Sequence, residues 1–100
     1  VATARRPPSP LGRALALLAA GRWRPAHEIV QDHESPIAAW LHGIVHTLEG
    51  DLDNARYWYR KAGRRFPGRD HLAAEIAAAR RRLRAAGARR RATARRSRAR

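Results

Sequence analysis

The sequence contains no cysteine, so disulfides and thiolate metal sites are excluded and a cytoplasmic setting requires nothing special. No apolar run approaches the length of a membrane-crossing helix. There is no glycine-rich phosphate loop, no nucleophile elbow and no Ser, His and Asp set at a recognisable spacing, so the expectation leans away from an enzyme. Large apolar residues are few. Half of the 44% apolar fraction is alanine, and apart from Val1 the large apolar side chains run only from Leu11 to Leu83. Lysine is nearly missing as well: Lys61 stands alone beside 21 arginines.

One hundred residues permit one small domain, and composition divides it. Residues 1–8, with Arg5, Arg6 and two prolines, predict a disordered amino-terminal tail; residues 9–86 predict the helical domain; residues 87–100 predict a disordered arginine-rich tail. Ser9 and Pro10 supply a cap and a first helical residue, and Leu11, Leu15 and Leu18 form an apolar stripe that stops at Gly21. A secretory signal is the rival reading of Arg5, Arg6 and the run ALALLAA, but Arg13 interrupts it. Ser35 and Pro36 repeat the start signal for a helix that ends near Glu49, with Ile37, Leu41, Ile44 and Leu48 on one side and Ala39 and Gly43 on another. Two apolar sides predict a middle element. Asp70 is placed to cap a last helix in which Leu72, Ile76, Ala79 and Leu83 face one way.

The stretch from Ala39 to Pro67 reads as two antiparallel helices joined at Gly50 and Asp51, with Ala55, Tyr59 and Ala62 on one face of the second. Gly43, Gly50, Asp51, Ala55, Tyr59, Ala62 and Pro67 follow the order and spacing of the tetratricopeptide repeat, which this stretch resembles. The resemblance implies a packed helical hairpin serving as a scaffold for a protein or peptide partner; it implies no chemistry. Two histidines, His42 and His46, replace the large apolar and aromatic residues that the pattern has around the glycine of its first helix. A degenerate copy lies 29 residues earlier, where Gly21, Trp23 and Ala26 match Gly50, Leu52 and Ala55. There the helix is expected from Pro25 to about His33. Two such hairpins and a closing helix make a minimal stack, so partner binding or homo-oligomerisation is expected to add stability.

His42, His46 and Glu49 recur at i, i+4 and i+7, which puts two imidazoles and a carboxylate on one stripe, and the repeat resemblance implies a register in which that stripe faces the preceding hairpin, where His27 and Glu28 sit. That donor set suits Zn²⁺ or Fe, drawn from two helices. The plainer reading is that the histidines are satisfied core residues and that no cofactor is needed; the glutamate that makes HExxH diagnostic is missing after His42. His27 with Glu28, WLHGIVH and EGDLDNARYWY also resemble blocks shared by a group of short, uncharacterised bacterial helical proteins, across Ala26 to Gly63. Trp40 and Tyr57 are the candidates for lining a ligand groove, with packing as the alternative for each.

From Arg80 to Arg100 there are eleven arginines in 21 residues and no acid. Arg89, Arg90, Arg91, Arg95 and Arg96 are the candidates for nonspecific nucleic-acid contact, against the rival reading of a composition bias toward arginine. The leading expectation is a small tetratricopeptide-like interaction module in the bacterial cytoplasm, not bound to membrane. A His and Glu metal protein with hydrolytic or redox activity, and nucleic-acid contact through the tail, are the alternatives.

Overall fold

Each Ser-Pro pair starts a helix. In the computed structural model, which describes residues 8–98, Ser9 Oγ accepts the Gly12 N–H at 3.1 Å and Ser35 Oγ accepts the Ala38 N–H at 3.0 Å, with proline in the first helical turn both times. These caps open α1 (Pro10–Ala19) and α3 (Pro36–Glu49). Between them lies α2 (Trp23–Val30), and after α3 come α4 (Leu52–Lys61), a 3-10 turn (Arg69–His71) and α5 (Leu72–Arg98). Among the described residues there are five α-helices and no strand.

Glycines end the elements. Gly21, Gly50 and Gly63 have φ of 78°, 94° and 72°, and the amide of the next residue reaches back five residues in each case: Arg22 to the Leu17 carbonyl, Asp51 to that of His46 and Arg64 to that of Tyr59. This closure satisfies helix-end carbonyls that would otherwise be orphaned, and it requires a residue free of the Cβ penalty. Gly21 and Gly50, 29 residues apart, thus share one closing geometry, as does Gly63. The aligned alanines Ala26 and Ala55 are both fully buried.

Helix α3 is the middle element. Every residue from Ala38 to Thr47 is buried, and α3 packs on α2 and α4 and also against α1 and α5. Leu15, Leu18, Val30, Leu41, Ile44, Val45 and Tyr59 form the fully enclosed core. Its tightest point is Gly43. A Cβ built there would lie 2.7 Å from Tyr59 Cε1 and 3.4 Å from the Ala55 carbonyl oxygen, so only glycine lets α4 seat at this depth.

Three expectations are revised. Helix α2 begins at Trp23 rather than Pro25 and ends at Val30 rather than near His33, because proline is tolerated throughout the first turn, where its missing N–H has no helical partner to serve. Asp70 lies inside the 3-10 turn that leads into α5. The third revision is larger: α5 does not stop at Gly87 in a disordered tail but continues to Arg98. Alanine and arginine are strong helix formers, and one internal glycine costs only about 1 kcal/mol once a helix is already nucleated against a core. The expected amino-terminal tail, 1–8, falls almost entirely outside the described residues. No described helix is long and apolar enough to cross a membrane.

Gly43→Ala should lower stability by about 1–3 kcal/mol through overpacking against Tyr59. Gly87→Ala, where the added Cβ would meet only the end of the Arg91 side chain at 3.5 Å, should instead raise helical content. Urea unfolding followed by circular dichroism checks both; equal stability of Gly43→Ala and the parent chain would refute the close-contact account.

Candidate metal centre

His42 and His46 stand one turn apart on α3, and α3 is buried on every side where they emerge, so both imidazoles are nearly enclosed, at 6% and 7% exposure. The wall opposite them is α2. Ala26, with no side chain beyond Cβ, is buried in the core, and its neighbour His27 is brought half-buried against the α3 pair. The His27 ring centroid is 4.8 Å from that of His42 and 5.4 Å from that of His46, and the two α3 rings are 5.0 Å apart. One potential ligand nitrogen from each lies within 4.8 Å of the others.

The surroundings hold these rings in place. His46 Nδ1 is 2.8 Å from Glu49 Oε2, one turn further along α3, which leaves Nε2 of His46 for another partner. Trp58 of α4 stacks on His42 at 3.7 Å with the planes 6° from parallel. Burial, and then the nearby His27 and His46, push the His42 pKa down from its ordinary 6.5 to about 4. His42 is thus a neutral imidazole at physiological pH. Neutral, preoriented imidazoles are what divalent cations of the later first transition row require, and a carboxylate on the second ring nitrogen is the usual companion of a metal-bound histidine.

The structure assembles three of the five metal candidates and separates the others. Glu28 is exposed on α2 and takes no part in the cluster, because α2 turns it to solvent when Ala26 faces the core. Glu49 acts through His46 rather than beside the other imidazoles; with His46 and exposed Asp51 it forms a second, peripheral grouping. A cavity of about 460 Å³ adjoins the centre, bordered by His42, Trp58, Lys61, Ala39 and the α2–α3 connection.

The groove candidates do not converge. Trp40 is 3% exposed, donates from Nε1 to Glu75 Oε1 at 3.1 Å and is covered by the Arg64 guanidinium 3.5 Å from its ring centroid. It is a packed residue whose edge borders a hollow of about 210 Å³ beside Arg64 and Arg82. Tyr57 is 44% exposed and meets Trp58 edge-on, and it has no share in that hollow. Arg89, Arg90, Arg91, Arg95 and Arg96 are all exposed along α5.

Two contributors escaped the sequence reading. The Trp58 ring lids the His42 imidazole. Glu75 accepts from both Trp40 Nε1 and, at 2.6 Å, Tyr59 OH, and so ties α5 to α3 and α4. Burial and the Glu75 carboxylate push the Tyr59 phenol pKa far up, so that it remains a donor. The available signal was that Glu75 is the last acid in the chain and lies between alanine and the core residue Ile76.

Because the unfolded chain binds a proton on His42 at 6.5 and the folded chain only at about 4, the stability contribution is intact above pH 6.5 and is lost as pH falls between those values. Urea midpoints should therefore drop between about pH 7 and about pH 4.5, with a shallower drop in His42→Gln. Identical profiles for the parent and this variant would show that His42 is not buried as a neutral ring. No protein-family model, no curated protein and no solved structure matches the chain.

Proposed function

We propose that the chain is a small helical metal-binding protein in which His27, His42 and His46 hold one divalent ion, Zn²⁺ or Fe²⁺. The observation that carries this reading is the convergence of three imidazoles from two helices, with ligand nitrogens within 4.8 Å of one another. Nitrogens bound to zinc at about 2.0–2.1 Å in a tetrahedral shell stand about 3.4 Å apart, so side-chain rotation suffices to close the set. Three protein nitrogens leave a fourth position for water or a small ligand, the donor count of catalytic rather than structural zinc sites. The cavity beside His42 offers room for such a ligand, which makes hydrolytic chemistry the activity that this donor set would favour.

A second reading treats the helices as a tetratricopeptide-like scaffold for a protein or peptide partner. It is favoured by the 29-residue offset with its matching glycine closures and by the glycine-to-tyrosine contact between α3 and α4. The two readings are compatible, since the imidazoles occupy the seam between the α2 and α3 elements of such a stack.

Titration calorimetry of the metal-free chain with Zn²⁺ should show one site per chain, and thermal unfolding should shift upward with added metal. His42→Ala and His46→Ala should abolish both effects, Glu49→Gln should weaken affinity by about 10–100-fold, and Glu28→Ala should leave it unchanged. Absence of any heat or thermal shift with Zn²⁺ and Fe²⁺ would reduce the triad to packing residues.

A further inference from the structure

The formal charge of +14 is not spread over the molecule. Residues 8–79 carry nine Lys or Arg and eight Asp or Glu, close to balance, whereas no acid follows Glu75 and eleven arginines follow Ala79. A general bias toward arginine would not keep the body neutral and load a single element. That element, α5, packs on α1 and α3 through Ile76 and Ala79, flanked by Leu72 and Leu83, and then runs beyond the core.

Helical spacing sorts what it carries. Arg84, Arg91, Arg95 and Arg98 fall at i, i+7, i+11 and i+14, on one row; Arg89 and Arg96, seven apart, fall on another nearly half a turn round. Between the rows, at i, i+3 and i+7, lie Ala85, Ala88 and Ala92, on the side turned away from the row that meets the core. All six arginines are exposed. A narrow alanine face flanked by two cationic rows has the cross-section of a helix lying in a groove with phosphates on both sides.

We infer that the carboxyl-terminal part of α5 is a binding element for double-stranded DNA, seated in the major groove with Ala85, Ala88 and Ala92 toward the base edges and the two arginine rows on opposite phosphate strands. The B-form major groove is about 12 Å wide and admits a helix, whereas the A-form groove of duplex RNA is too narrow. Single strands are disfavoured because no Phe, Tyr or Trp follows Phe66, so there is nothing on α5 for bases to stack on. A lipid surface is disfavoured because the face between the rows holds alanine, with no large apolar side chain to insert. Alanine reads little beyond a thymine methyl, so binding is largely independent of sequence and carried by counterion release.

Fluorescence anisotropy of the full chain with a labelled 20-base-pair DNA, the matching RNA duplex and one DNA strand, over a salt series, tests this. Tighter binding to duplex DNA than to either other probe is expected, with a log–log salt slope of about −5 for six phosphate contacts. Arg91→Gln and Arg95→Gln should each reduce the slope by about 1, while Arg90→Gln, off both rows, should leave it near the parent value. Ala92→Glu should weaken binding at least tenfold more than Ala94→Glu, which adds the same charge on the other side of the helix. Circular dichroism confirms that each variant keeps its helix. Equal losses at Ala92 and Ala94, equal affinity for the RNA duplex or single strand, or displacement of DNA by anionic vesicles at matched charge would each overturn the groove geometry.

Discussion

The fold depends on one close approach. Where α3 crosses α4, Gly43 presents bare backbone to the Tyr59 ring and the Ala55 carbonyl, and no other residue type leaves room for both. Van der Waals attraction falls off so steeply that a separation larger by one methyl group would forfeit much of this contact. With α4 seated there and α1, α2 and α5 also packed against it, α3 is enclosed from Ala38 to Thr47. The three imidazoles, Trp40, Trp58, Tyr59 and Glu75 are all attached to that enclosed helix or in contact with it.

Enclosure makes polar side chains expensive, and the two solutions differ on the two sides of α3. On one side Glu75 remains beside the core because it accepts hydrogen bonds from Tyr59 and Trp40; a carboxylate left without those donors would carry a large desolvation penalty. On the other side the problem is met by neutralisation: His42 gives up its proton affinity, His46 pairs with Glu49, and Trp58 excludes water from one ring face. A neutral imidazole at His42 is affordable in a small core; an imidazolium ion enclosed there is not. The packing and metal-binding accounts of these residues begin from the same geometry, three rings with a ligand nitrogen each within 4.8 Å of the others.

Local chemistry was readable where the interaction involves neighbours in sequence. Ser9 and Ser35 announced caps, Gly21 and Gly50 announced closures, and Ala26 and Ala55 announced buried faces, since each of these acts within about one helical turn. The stripe of His42 and His46 was readable for the same reason. Its third member, His27, was a guess from repeat register that depended on how α2 lies across α3, and Glu28, adjacent to it, went the other way because helical neighbours differ by about 100° in direction. The two readings of Trp40, groove and packing, stay open in the sequence because nothing near it reveals Glu75, 35 residues on, or Arg64.

By itself the chain's order of residues determined the helix starts at the two Ser-Pro pairs, the closures at Gly21 and Gly50 and the segregation of charge into the last element, because capping, left-handed glycine and side-chain periodicity are short-range effects. Only tertiary structure decided which imidazoles meet, which ring covers them, that Glu75 bonds to Trp40 and Tyr59 in the core, and that α5 projects as a continuous basic helix. Those outcomes depend on the approach of helices far apart in sequence, and the depth of that approach is set by volumes of one methyl group or less, which no local pattern encodes.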